Sequence, residues 1–324
     1  MALLEVNNLE VKFPLRQGEL TALRDISFSL DAGDRLGIVG ESGAGKSVAA
    51  FAILKLIGRP GYISGGQVLF EGQDLAKLNS AELRNIRGNR ITMIFQDPMM
   101  TLNPVLTIAT QMIECLRAHR TISTAAAREL AIEKLRNVSI PSPETRIDQY
   151  PHELSGGMRQ RVVIAIALLT DPSLIIADEP TTALDVTIQA EIMDLLLALC
   201  KNNNVALILI THDLGVVSQV TRRAIVMYAG RIVEEGPTRD IVESARHPYT
   251  QGLINALPER TTPGHPLNQI PGVMPSLMDI PVGCAFNPRC THAMDACRSS
   301  IPVYTGSEHA RVACHWVVHT ETGK

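Results

Sequence analysis

One octapeptide constrains this chain more than any other feature. "GESGAGKS" (40–47) follows the apolar run "RLGIVG" (35–40) and opens "KSVAAFAILKLI" (46–57), which reads as a helix. The pattern G-x-x-x-x-G-K-[ST] between a strand and a helix is a phosphate-binding loop. Glycines let backbone N–H groups converge on phosphate oxygens, and the following helix points its positive end at them. Gly40, Glu41, Ser42, Gly43, Ala44 and Gly45 form the expected cradle, Lys46 is expected to reach the β- and γ-phosphates, and Ser47 to ligate Mg2+. Such a loop commits the chain to an α/β core.

The rest of the pattern agrees with that commitment. "TALRDISFSL" (21–30) alternates as a strand does, and "ITMIFQDP" (91–98), "LIIADE" (174–179), "ALILITHD" (206–213) and "AIVMYAGRIVEEG" (224–236) are short apolar runs. Residues 104 to about 140 are rich in Ala, Leu, Arg and Glu and carry no strand signal, which predicts an all-helical insertion. A helix is predicted near 187–201, where Ile188, Ile192, Leu195, Leu196 and Leu199 recur at spacings of 3 and 4. Short apolar strands alternating with helices predict a parallel sheet covered on both faces. Beyond about residue 246 prolines become dense and the patterning fades, so a boundary is placed there.

Composition narrows the classes. With 324 residues and 45% hydrophobic residues, the chain can fill a sizeable core and suits one large domain plus an appendix. A net charge of −3 and no long Lys/Arg run argue against nucleic acid as a partner. "MALLEVNNLEV" lacks the basic start and apolar core of a signal peptide, and "VVIAIALL" (162–169) falls far short of the roughly 20 residues that cross a bilayer. These features predict a soluble, cytosolic chain.

Two further segments carry chemistry. An apolar strand ending in acid, as "LIIADE" does, delivers a carboxylate to the sheet edge where phosphates bind. Asp178 is expected to orient Mg2+, and Glu179 to polarise an attacking water as general base. "LSGGMRQR" (154–161) opens a helix with small and polar residues, a second anion-binding terminus without a lysine, where Ser155 also suits a helix N-cap.

On these motifs, in this order, the chain resembles the nucleotide-binding subunit of an ATP-binding cassette (ABC) transporter over about residues 3–245. The resemblance implies an ABC-type nucleotide-binding domain (1–245) with a mixed sheet core and a helical subdomain (about 98–155), hydrolysing ATP with Mg2+. It implies roles for further residues. Gln96 in "FQDP" resembles the glutamine that senses Mg2+ and water, Ser155, Gly156 and Gly157 the signature that closes over the γ-phosphate on the opposite subunit. Asp185 in "TALD" (182–185) resembles the aspartate that reaches across the dimer, and His212 the switch histidine at the γ-phosphate. Phe13 in "VKF" is the candidate to stack on adenine, where the family commonly has tyrosine. In this family the phosphate loop and signature of one chain face away from each other, so two cassettes pair head-to-tail.

The C-terminal stretch narrows the resemblance. Four of the six cysteines, Cys284, Cys290, Cys297 and Cys314, are spaced C-x5-C-x6-C-x16-C, while Cys115 and Cys200 stand alone. In a reducing cytosol a cysteine cluster points to metal before disulfide, and His315 beside Cys314 is a further possible ligand. The C-x2-C knuckle of zinc sites and the common ferredoxin spacings are both absent, so spacing leaves zinc, an iron–sulfur cluster and unliganded thiols open. "RHPYTQGLINALP" (246–258) followed by "GCAFNPRC" (283–290) resembles the ATPases of dipeptide and oligopeptide importers. That resemblance implies a small C-terminal cysteine-cluster domain (246–324) with a [4Fe–4S] cluster on the four cysteines, stapling a tail expected to consist of loops. It implies peptide uptake at the cytoplasmic face of the inner membrane as a peripheral subunit. The expected partners are a second related ABC ATPase in a heterodimer, two membrane permease subunits and an extracytoplasmic substrate-binding protein. Alternatives are the same role for nickel or glutathione, or a soluble ABC ATPase outside transport.

Overall fold

The computed structural model describes residues 2–182, 184–257, 268–307 and 309–322. The chain separates into two compact units, one made of residues 1–30, 35–76 and 209–324, the other of 31–34 and 77–208.

In the first unit, β1 (Leu4–Leu15) pairs antiparallel with β2 (Gly18–Leu30). Then come β3 (Arg35–Val39), buried throughout, and α1 (Lys46–Ile53). The predicted helix over 46–57 stops early because Lys55 turns to a left-handed φ of 52°. β4 (Tyr62–Phe70) pairs with β1, and β5 (Gln73–Asp74) with β4, giving an antiparallel sheet in the order β2-β1-β4-β5. Leu4 and Val6, then Leu9 and Val11 beyond a register shift, are the fully buried residues of β1, as one covered sheet face requires.

The second unit holds the predicted helical insertion. After α2 (Ser80–Ile86), β6 (Ile91–Ile94) leads into α3 (Pro98–Thr101), α4 (Ile108–Arg117), α5 (Thr124–Asn137), α6 (Pro143–Arg146) and α7 (Gly156–Ala167). Side-chain caps start most of them: Asn79, Thr107, Ser123 and Ser155 each accept a backbone N–H from the first turn. β7 (Leu174–Asp178) pairs parallel with β6 and is buried along its whole length. α8 (Val186–Asn202) presents Ile192, Met193, Leu196 and Cys200 to the core. Cys200 is thus a core residue of this helix.

β8 (Ala206–Thr211) runs in sequence across the boundary and returns the chain to the first unit at α9 (Leu214–Val220). The apolar run over 224–236 is a hairpin, β9 (Arg223–Tyr228) and β10 (Arg231–Pro237), turned by Ala229 and Gly230 at φ 47° and 79°. β9 lies parallel to β3, so this unit's second set of strands is mixed, not purely parallel. α10 (Thr238–Glu243) and α11 (Pro248–Asn255) follow.

The C-terminal stretch is more ordered than expected. It contains α12 (Asp295–Ser299), β11 (Tyr304–Ser307), β12 (Ala310–Ala313) and α13 (His315–Thr322). β12 pairs antiparallel with β10, extending the mixed set in the order β11-β12-β10-β9-β3. Its strands are too short for the sequence pattern to reveal them. Among the described residues, no helix is long and apolar enough to cross a membrane.

Candidate nucleotide site

The first unit shapes a phosphate loop. β3 delivers the chain to Gly40 at φ 154°, and Gly45 at φ 101° precedes α1. A Cβ at Gly40 would stand 2.3 Å from the Met227 carbonyl oxygen, so backbone packs where any other residue needs room. Lys46, first in α1 and only 5% exposed, folds back under the loop. Its Nζ donates to the carbonyls of Gly40 (2.7 Å) and Glu41 (3.1 Å). Ser47 is next in the same helix.

Glu41 has partners that nothing in its local sequence announces. Its backbone N–H donates to the Tyr249 hydroxyl at 2.8 Å, and its carboxylate accepts from Arg289 Nη1 (2.7 Å) and Nη2 (2.9 Å). Phe13 sits half-buried on β1, its ring against Gly61, where a Cβ would come within 2.3 Å of it. His212 is exposed just beyond β8, and Asp213 after it caps α9 through the N–H groups of Gly215 and Val216.

The second unit brings other predicted residues together. Asp178 ends β7, 5% exposed. β6 and β7 run in register from Ile91–Leu174 to Ile94–Ala177, so two residues further on Gln96 comes level with Glu179. Gln96 Nε2 donates to Glu179 Oε2 at 3.1 Å, and Thr182 Oγ1 donates to the same oxygen at 2.9 Å. Glu179 adopts a φ of 45°, rare for a residue with a side chain and costing on the order of 1–3 kcal/mol, which concentrates at functional sites. Thr182 was missed by sequence reasoning, although its place three residues past Glu179 in a tight turn was a usable signal.

Ser155 caps α7, its Oγ accepting the Met158 N–H at 3.3 Å. A Cβ on Gly157 would lie 3.0 Å from Ile188 Cγ2 of α8, so the glycine lets these two helices approach. Asp185 is the N-cap residue of α8 and its exposed side chain makes no capping bond. Ala183 of the "TALD" segment lies outside the described residues.

The C-terminal thiols are all free and lie within electrostatic reach of one another. Burial, with smaller contributions from Cys297, Cys314 and Cys290, pushes the Cys284 thiol up to about 11. Burial also raises Cys290 and Cys314. Against this, the N–H groups of Phe286, His292, and Val317 with Trp316 favour the thiolates of Cys284, Cys290 and Cys314 respectively. Among the described residues no three His, Cys, Asp or Glu side chains stand close enough to hold a metal ion. The expected loops are also corrected: Cys297 lies in α12 and Cys314 directly precedes α13. The His315 imidazole meets Ser300, 3.0 Å from its carbonyl oxygen.

A phosphate loop in a mixed α/β core, with a helical subdomain, defines an ABC-type ATPase fold. Residues 23–182 match the family described as ABC transporter, and residues 233–297 match the C-terminal region of oligopeptide/dipeptide transporters. The oligopeptide transport ATP-binding protein OppD of Salmonella typhimurium is 49% identical over 96% of this chain and 93% of its own. The dipeptide transport ATP-binding protein DppD of Escherichia coli (strain K12) is 48% identical over 98% of this chain and 97% of its own. Among solved structures, a dimeric ATP-binding cassette, MJ0796, in a post-hydrolysis state bound to ADP and Pi, matches with a TM-score of 0.65 and 29% identity. That match covers 73% of this chain and 99% of the other.

The chain belongs to the oligopeptide/dipeptide importer family of ABC transporter ATPases. It is the ATPase subunit of an ABC importer of dipeptides or oligopeptides, which implies dimerisation and partners in a transporter complex.

Proposed function

We propose that ATP hydrolysis on this chain runs through Glu179, with Gln96 and Thr182 holding its carboxylate. The observation that carries this is their convergence on one oxygen beside a left-handed backbone turn. Two donors on one oxygen fix the plane of the carboxylate, and with it the angle at which a water is approached. Glu179 takes the proton of the attacking water. Lys46 and the loop N–H groups other than that of Glu41, which Tyr249 takes, bind the β- and γ-phosphates, and His212 contacts the γ-phosphate. Ser47, Asp178 and Gln96 would hold Mg2+, which neutralises phosphate charge. Phe13 stacks on adenine. Ser155, Gly156, Gly157 and Asp185 act on the nucleotide of a facing cassette.

Residues 1–245 form the nucleotide-binding domain, with 98–155 as its helical subdomain, and 246–324 an extension. The facing cassette is a related but distinct ATPase, with two permease subunits and an extracytoplasmic binding protein completing an importer on the inner membrane's cytoplasmic face. The extension supplies four thiols, the donor type of a [4Fe–4S] cluster, and backbone N–H groups favour thiolate at three of them, although among the described residues no three stand close enough to hold a metal ion as they are placed. Bound there, it would staple the extension, and the iron content of the anaerobically purified chain tests it.

The test of the base is Glu179→Gln in the assembled transporter. ATP affinity is expected to hold while hydrolysis falls at least about a hundredfold, the size of a lost general base. Near-native hydrolysis by that variant would remove Glu179 from the role.

A further inference from the structure

We propose that Arg289 and Tyr249 are positioning residues for the phosphate loop, so that the C-terminal extension sets the nucleotide affinity of the cassette. The proposal rests on reading residues 40–47 as that loop. All the residues concerned belong to one compact unit.

Glu41 is gripped at three places. Its N–H is taken by Tyr249, its carbonyl by Lys46, and its carboxylate by the forked guanidinium of Arg289. Two parallel N–H bonds to one carboxylate fix direction as well as distance. Arg289 is itself immobilised: Nε donates to the Pro271 carbonyl at 2.8 Å, Nη1 also reaches the Tyr228 hydroxyl at 3.3 Å, and its side chain is 5% exposed. Tyr228, Tyr249 and Phe286 pack as rings with centroids 4.7 to 5.4 Å apart behind this arrangement. At the loop's tip a Cβ on Gly43 would stand 2.8 Å from Met274 Cε, so the extension lines that side too.

Charge gives the arrangement a purpose. Phosphate loops collect anions, yet this one carries a carboxylate at its second position. Without Arg289, Glu41 would repel the phosphates its neighbours attract. With Arg289 it becomes a handle by which the loop is held open in one shape. The arginine takes its place from the cysteine-bearing turn: Asn287 bonds the Cys284 carbonyl through both its N–H and its side chain, and Cys290 follows Arg289 directly.

The test measures MgATP affinity on the purified full chain, and KM and kcat for ATP in the assembled transporter. Arg289→Ala is expected to raise KM about tenfold with kcat within about twofold, the signature of lost binding without lost chemistry. Arg289→Lys should recover only part, since an ammonium lacks the fork. Glu41→Gln combined with Arg289→Ala should bind no worse than Arg289→Ala alone, because the repulsive carboxylate is gone. Additive losses in that pair overturn the proposal. Should Arg289→Ala fail to fold, Arg289→Lys and Tyr249→Phe carry the test, and native KM in both overturns it. Lys46→Ala separates the two levels. If it abolishes nucleotide binding while the Arg289 variants bind as native, only the positioning role falls. If it binds as native, the phosphate-loop reading falls with it.

Discussion

His247 shows how one buried ring can set the pH response of this fold. It is 1% exposed, and its Nδ1 accepts the Tyr249 N–H at 3.0 Å, capping α11. Its Nε2 is buried without a partner among the described residues, and burial lowers its pKa from 6.5 to about 3. The unfolded chain therefore takes up this proton near pH 6.5, while the folded chain resists it until about 3. Stability is intact above that window and falls as pH drops through it, by up to about 1.4 kcal/mol per pH unit. Glu234, which accepts the His247 N–H at 3.1 Å, is raised by burial and acts in the opposite sense. Comparison with His247→Asn, which retains a capping oxygen, cancels that contribution. Between pH 7 and 5 the native chain should lose about 2 kcal/mol more than the variant in urea denaturation. Equal losses in the two proteins would show that His247 does not carry this response. The pairing of His at the N-cap with Pro at the first helical position is a start signal visible in the sequence, whereas its complete burial is not.

Elements were legible in proportion to how local their causes are. The glycines of the phosphate loop and the strand before it could be read because backbone conformation and apolar runs are properties of neighbours in the chain. The meeting of Gln96 with Glu179 could not, because it comes from the register of β6 on β7, across 83 residues. The hairpin at Ala229–Gly230 was hidden because Ala229 takes a left-handed φ usually left to glycine or asparagine. The extension was least legible, since β12 is short and finds its partner in β10. The element-scale prediction lies in that extension. Burial keeps the Cys284, Cys290 and Cys314 thiols protonated at neutral pH unless a cation holds them as thiolates. If the proposed cluster is that cation, anaerobic preparation should give a brown chain with about four irons, as four thiolates on a [4Fe–4S] core require. Ser in place of Cys284, Cys290, Cys297 or Cys314 should lose the iron, while Cys115→Ser and Cys200→Ser should keep it. Stoichiometric zinc in colourless protein would replace the cluster with a different metal.

At the scale of the whole molecule, the chain divides its motifs between two compact units. One contains the phosphate loop and His212, the other Gln96, Asp178, Glu179, the Ser155–Gly157 turn and Asp185. The sequence holds one phosphate loop and one "LSGGMRQR" segment, and on the proposed function a second cassette supplies the complement of each. Hydrolysis then depends on association. The isolated chain should be largely monomeric by light scattering, with low ATPase activity per chain. That activity should climb steeply with protein concentration, and further when the proposed second cassette and permease subunits are added. The cause is mass action, because a group donated by a partner acts at the partner's concentration until assembly makes it intramolecular. Full activity from a sample that stays monomeric under assay conditions would mean that one chain completes its own site, and would end the composite-site argument.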